Sequence, residues 1–400
     1  MVSLKYRTRN EMLDRFTPSL SVQRVLAGSQ RPTKPAGPDV IALDMGEADF
    51  ATPAPIVSAA VDALHAGYTR YAGFRGDPEL RECLAEAVTA IARDRYGADQ
   101  IVVTHGATAA ITAAVLAIAN PGDRIVLPNP TYSMYADAAY IAGAIPVFVP
   151  TRADHHLNLD RLEEALRGAR MLMICNPCNP TGAVYTRAEL QRLSELIEQN
   201  GVIVFADEAY SQIVYDDRDF ASMLSFPAIR SRIVYAQTFS KTYAMTGWRS
   251  GYVAGPREII EAIALINMRC SFSLNSAVQR ASLAAMRLGP SLSTPMIAEF
   301  ARRRALMVEH ARAIEGLDVR VPEGTFYLFA RYDLDIPSLD LRERLLEAGV
   351  AVRSGLEFGP DGEQHLRLSF SVNPENITEG MRRMRTVFEQ FTQHAPVRSS

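Results

Sequence analysis

"YAQTFSKTYAMTGWRSGY" occupies residues 235–252, and its reading decides how the rest of the chain is understood. It contains Lys241, one of only three lysines in 400 residues, against 39 arginines. The other two, Lys5 and Lys34, lie in a polar N-terminal stretch. A chain that carries nearly all of its positive charge on Arg keeps a Lys here, between Ser240 and Thr242 and directly after a strand-like run. A surface charge is the ordinary fate of a lysine. The alternative is chemical: a lysine whose pKa is lowered can shed its proton and form an imine, which an arginine cannot do. Thr238, Ser240 and Arg249, in the same stretch, are suited to hold an anion beside it.

Outward from this stretch the chain alternates between two patterns. Helical periodicity at 54–66 and 78–96 precedes the β-branched run "QIVVTHG". The runs "DRIVLPNP", "AIPVFVP", "ARMLMICNP", "GVIVFADEAY", "RIVYAQTFS" and "GYVAGP" follow, separated by amphipathic segments at 107–120, 132–142, 160–167 and 186–200. Apolar strands alternating with helices predict an α/β fold with a mainly parallel sheet between helices. From about residue 290 the pattern changes. A long Arg-rich helix, "MIAEFARRRALMVEHARAIEG", leads into short strands within "VRVPEGTFYLFARY", "GVAVRSG" and "HLRLSFSV", and a helix over 374–392. This predicts a smaller α+β domain. The expected division is an N-terminal arm with part of the small domain at 1–45, a large domain at 46–288, the small domain at 289–392, and a disordered tail at 393–400.

Composition bounds the function. Apolar residues make up 48% and charged residues 22%, as in soluble globular proteins. The net charge of −3 argues against nucleic acid or an anionic membrane as the main partner. No run approaches the roughly 18 apolar residues of a membrane span. The opening "MVSLKYRTRNEMLDRF" lacks the apolar centre of a signal peptide, so the cytoplasm is the expected compartment. Cys175 and Cys178 form a C-x-x-C, but no second pair completes a metal site, and no metal is expected.

Several strands end in polar or glycine-containing turns, and ligands of open α/β sheets bind at the carboxyl ends of the strands. In "THGAT", Gly106, Ala107 and Thr108 either make a tight turn or present backbone N–H groups to a phosphate. In "ADEAY", Asp207 is either a helix cap or the counter-ion of a protonated ring nitrogen, with Tyr210 nearby. In "NPCNPTG", Pro177 and Pro180 stiffen a loop that holds the Asn179 amide. An imine-forming lysine, a phosphate cradle, a carboxylate for a ring nitrogen and a fixed amide together describe a pyridoxal-phosphate site.

With these residues assembled, the chain resembles the class I/II aminotransferases among the fold-type I pyridoxal-phosphate enzymes, over about residues 40–390. "TFSKTYAMTGWRSGY" is similar to the family pattern S-x-S-K-x7-R, with Thr238 in place of the first Ser. The resemblance implies that Lys241 carries the aldimine, Asp207 pairs with the ring nitrogen, and Asn179 and Tyr210 bind the ring's 3-oxygen. It further implies that Gly106, Ala107, Thr108, Thr238, Ser240 and Arg249 surround the phosphate, and that Tyr132 stacks on the ring. Arg367 would clamp the substrate α-carboxylate with Gly46 and Asn179 beside it. Tyr71 would reach the phosphate of a partner subunit, which makes the expected assembly a homodimer with shared active sites. One departure is Ala48, where the family usually has Pro.

The activity implied is transfer of an amino group from an L-amino acid to a 2-oxo acid in two ping-pong half-reactions, with Lys241 moving the Cα proton. The alternative is a lyase, cyclase or oxidase of the same family. Glu47 draws attention to it, although many aminotransferases also have a glutamate there. A DNA-binding regulator built on this fold is disfavoured, since about 40 residues precede the region of resemblance.

Overall fold

The computed structural model describes residues 17–28, 37 and 39–393. The expectations for residues 1–16 and for the tail 394–400 lie outside the described residues. In chain order the first strands are β1 (Ile41–Ala42), β2 (Ile101–Thr104), β3 (Arg124–Asn129), β4 (Ile145–Pro150), β5 (Met171–Cys175), β6 (Ile203–Asp207), β7 (Ile233–Thr238) and β8 (Gly251–Ala254). Strands β2 to β8 form one sheet in the order β2-β8-β7-β6-β5-β3-β4. The pairs β3–β4, β3–β5, β5–β6 and β6–β7 are parallel, while β8 runs antiparallel to both of its neighbours.

These strands are mostly apolar, with polar residues mainly at their ends, because both faces of the sheet are covered. In β5, Met171 and Met173 pack on one side with Phe205 of β6, Ile111 of the helix Gly106–Ile118 and Ile263 of the helix Arg257–Ser271. Leu172 and Ile174 pack on the other, with Leu84 of the helix Pro78–Ala92 and Leu193 of the helix Arg187–Asn200. Alternate residues thus serve opposite cores, and each such Leu or Ile stabilises the fold by about 1.5–3 kcal/mol. The covering helices start where the sequence provides caps. Asp77 accepts from the N–H groups of Glu79 and Leu80, and Thr186 and Glu189 form a reciprocal capping box.

The remaining strands are β9 (Leu317–Asp318), β10 (Tyr327–Tyr332), β11 (Val350–Ala351), β12 (Arg353–Ser354) and β13 (His365–Ser369). A second, antiparallel sheet has the order β12-β13-β10-β9 and is packed by the helices Thr294–Arg312, Ser338–Glu347 and Pro374–Gln393. That last helix reaches Gln393, one residue into the expected tail. The small parallel pair β1–β11 lays the segment after residue 42 along this sheet, where the Ser369 N–H donates to the Leu43 carbonyl at 2.7 Å. Strand structure within "VRVPEGTFYLFARY" is shorter than the sequence suggests. Pro322 lacks a ladder donor, and the N–H groups of Glu323 and Gly324 turn instead to the Gly182 carbonyl at 3.0 and 2.8 Å.

That turn fastens the two sheets to each other near residue 179. Glu323 accepts the Val184 N–H at 2.9 Å, and its carboxylate lies 3.3 Å from His156 Nε2. His156 Nδ1 lies 2.9 Å from Glu189 on the opposite side. Two carboxylates hold the imidazolium, so the His156 pKa rises from the ordinary 6.5 to about 9. Stability from a raised pKa is fully present below the unfolded value and is lost as pH climbs through the folded one. Melting temperature should therefore fall between pH 6.5 and 9 more steeply in the wild type than in a His156→Gln variant. The difference corresponds to a stabilisation on the order of 3 kcal/mol. Parallel melting curves of the two proteins over this range would contradict the assignment.

Candidate active site

The polar turns that follow β2, β3, β5, β6 and β7 open at one edge of the first sheet. β8 is reversed, so the residues leading into it reach this same edge. Gly251 pairs with both Thr104 and Thr238, the last residues of their strands, and Arg249 lies two residues before it. The edge encloses a cavity of about 290 Å³ bordered by Ala107, Thr108, Tyr132, Asn179, Asp207 and Tyr210. Thr238, Ser240, Lys241 and Arg249 border it from the β7–β8 segment, Arg367 closes it from the second sheet, and Gly46 closes it from the segment that follows β1.

Gly106 stands directly behind Arg249. Its φ is +72°, and a Cβ there would meet the Arg249 guanidinium at 3.0 Å, so the turn requires glycine. Gly46 is needed for a different reason: a Cβ would lie 2.0 Å from the Tyr327 hydroxyl. Of the sequence-selected residues, Gly106 backs the cavity without bordering it, and Tyr71 is not brought to it by this chain. It is 86% exposed, with its ring edge-on to Phe272 at 4.8 Å.

The Lys241 ammonium donates to the Gly46 carbonyl at 2.6 Å. It is surrounded by protein yet open to the cavity, and burial, followed by the nearby Arg367, lowers its pKa from 10.5 to about 8. Asp207 is buried at the floor, where Tyr135 Oη donates to it at 2.8 Å and the Ala209 N–H at 3.1 Å. Burial pushes the carboxyl pKa up, and these two donors pull it back. No helix starts at Asp207, so the helix-cap reading of this residue falls away. The Thr238 hydroxyl lies 2.9 Å from Ser240 Oγ and 3.0 Å from the Ser250 carbonyl.

Arg367 is buried in β13. It donates to Asn179 Oδ1 at 3.0 Å and to the Asp44 carbonyl at 2.6 Å, with its guanidinium 4.1 Å from the Tyr327 ring centroid. The Tyr210 and Tyr327 hydroxyls are 3.0 Å apart. Tyr135 was not singled out in the sequence. The available signal was a second tyrosine three residues after Tyr132, in a segment otherwise apolar enough to be buried, where a phenol needs a partner. Cys175 and Cys178 are both buried free thiols, and Cys175 borders the cavity. Among the described residues no group of three or more His, Cys, Asp or Glu is placed to hold a metal ion, and no helix is long and apolar enough to cross a membrane.

The sheet order and a lysine-centred cavity at its carboxyl edge define a fold-type I α/β enzyme. The family model for aminotransferase class I and II matches residues 38–384. The chain is 37% identical over 366 residues to a probable aspartate/prephenate aminotransferase of Aquifex aeolicus, covering 89% of this chain and 92% of that protein. It is 33% identical to an aspartate aminotransferase of Rhizobium meliloti, covering 94% and 95% of the two chains. The solved aromatic aminotransferase of Pyrococcus horikoshii superposes with a TM-score of 0.86 at 34% identity, covering 92% of this chain and 99% of that one. The chain belongs to the class I and II aminotransferase family and is a transferase of amino groups.

The lowered pKa of Lys241 sets a labelling experiment. In protein stripped of bound ligands, an amine-reactive acylating reagent should modify Lys241 with a midpoint near pH 8. An ordinary lysine titrates near pH 10.4. Peptide mass spectrometry across a pH series reads the midpoint, and a value in the ordinary range would contradict the description of the site.

Proposed function

We propose that the cavity binds pyridoxal phosphate and exchanges an amino group between an L-α-amino acid and a 2-oxo acid. The observation that carries this reading is the position of Lys241 between a buried carboxylate and two arginines, in a cavity lined by hydroxyls. The donor set fits the cofactor. Asp207 is a buried carboxyl suited to a protonated ring nitrogen. Arg249, Thr238, Ser240 and the N–H groups that open the helix Gly106–Ile118 suit a phosphate. The Gly106 turn, which a Cβ would fill against Arg249, supports the same assignment.

When bound, pyridoxal phosphate supplies an aldehyde for amino-group exchange and a ring that accepts electrons. The protein's residues do the rest. Arg367 binds the α-carboxylate of the amino acid, with Gly46 and Asn179 beside it. Asn179 and Tyr210 would hold the cofactor's 3-oxygen and Tyr132 its ring, and Asp207 would keep a proton on the ring nitrogen. The Lys241 amine removes the proton from the substrate Cα and later returns it. An amine that sheds its proton near pH 8 is suited to that task. Glu47, which raised the elimination alternative, is hydrogen-bonded to the Thr246 hydroxyl.

The names of the relatives, aspartate, prephenate and aromatic aminotransferases, support acidic and aromatic α-amino acids as the first donors to examine. The same reading includes residues 46–288 and 289–392 as the two domains, and a homodimer in which the exposed Tyr71 reaches the partner's phosphate. It also places the enzyme in the cytoplasm, in amino-acid metabolism, which the four free cysteines support.

Arg367→Ala should keep the bound cofactor's visible spectrum and lose roughly a hundredfold or more in kcat/KM for α-amino acids, from loss of charge-assisted hydrogen bonds. Arg249→Ala should weaken cofactor retention instead. If Arg367→Ala loses the cofactor, the two arginines are assigned in the wrong order. An active monomer in sedimentation velocity would contradict the shared-site dimer.

A further inference from the structure

A second and larger cavity, about 590 Å³, lies behind the strand end that carries Thr238. Its size is that of a small-molecule site. Thr238 borders both cavities, but Lys241, Asp207 and Arg367 do not border this one. The inner wall is aromatic. Tyr235, Phe239, Tyr243 and Tyr252 face it, with neighbouring ring centroids 6.1–6.3 Å apart.

Glu208 completes this wall and is 1% exposed. Its Oε1 accepts from Ser222 Oγ at 2.9 Å and from the Met223 N–H at 2.8 Å. Its Oε2 has no hydrogen-bond partner among the described residues, and no Arg, Lys or His forms an ion pair with it there. The arginines that border the cavity, Arg93 and Arg187, are exposed, and Arg187 lies 3.8 Å from Asp219. The transamination chemistry derived above uses none of these groups.

A buried carboxyl with half of its acceptor capacity unused is costly, and a cation beside it removes that cost. Aromatic faces attract the same kind of ligand through their quadrupoles. We propose that this cavity binds an organic cation, an amine carried on an aromatic or branched aliphatic body, with its ammonium on Glu208 Oε2 and its body against the tyrosine and phenylalanine rings. An anion would meet the carboxyl at the inner end, and a metal ion would find one carboxyl where it needs several ligands. A polar outer end on the ligand would meet Arg93 and Arg187.

The test uses the full-length holoenzyme and N,N-dimethylbenzylamine, a tertiary amine that cannot condense with an aldehyde. Benzyl methyl ether serves as a neutral compound of similar shape. Isothermal titration should show saturable binding of the amine, with the ether at least tenfold weaker. Glu208→Gln should weaken amine binding by roughly tenfold to a hundredfold, the value of a hydrogen bond to a charged group. Ala90→Trp fills the cavity from its exposed rim on the helix Pro78–Ala92 without touching the core. It should abolish amine binding while the cofactor spectrum and turnover stay unchanged. This second variant keeps the test decisive if Glu208→Gln does not fold. Absence of saturable binding to the wild type, or amine binding that Ala90→Trp leaves intact, overturns the proposal.

Discussion

Lys241 Nζ donates to a backbone carbonyl at 2.6 Å while burial and the guanidiniums of Arg367 and Arg249 all oppose its positive charge. That opposition makes the amine a base near neutral pH, and much of the architecture is arranged to maintain it. The lysine follows the last residue of an apolar strand by three positions, which fixes its backbone at the edge of the sheet. The reversed strand β8 returns Arg249 to that edge, and a left-handed glycine turn at 106 gives its guanidinium room.

The second sheet supplies what the first cannot. Arg367 comes from β13, and Gly46 from a segment held against that sheet by the β1–β11 pair and by Ser371, whose hydroxyl donates to the Glu47 carbonyl at 2.7 Å. The loop that carries Asn179 is fixed from both sides. Gly182 accepts the N–H groups of Glu323 and Gly324, and Asn179 itself accepts from Arg367. Arg367 and the loop amide therefore depend on each other's placement, and the His156 ion-pair network lies at the junction that sets both.

Much of this was legible in the sequence. The strand runs were unmistakable because both faces of the first sheet are buried, leaving no polar alternation to blur them. Cavity residues sat at strand ends, where polar turns interrupt apolar runs. The strand within "VRVPEGTFYLFARY" is overextended in the sequence because β-branched residues before Pro322 suggest pairing, whereas Glu323 and Gly324, just after it, turn to the Gly182 carbonyl in a distant loop. Tyr135 and the Glu208 cavity were not legible for a related reason. Their meaning comes from contacts between segments far apart in the chain. Tyr135 meets Asp207 72 residues away, and the Glu208 wall combines the turn after β6 with β7, β8 and the exposed end of the helix Pro78–Ala92.

Most direct for the central claim is the fate of the amino group in one anaerobic turnover of the holoenzyme. L-Aspartate, supplied without any 2-oxo acid, is a suitable first donor, with L-glutamate and L-phenylalanine in parallel. Mass spectrometry of the released cofactor should find one equivalent of pyridoxamine phosphate per site, together with one equivalent of the matching 2-oxo acid. Continued consumption of a donor over many turnovers, with the cofactor recovered as pyridoxal phosphate, would contradict amino-group transfer at Lys241.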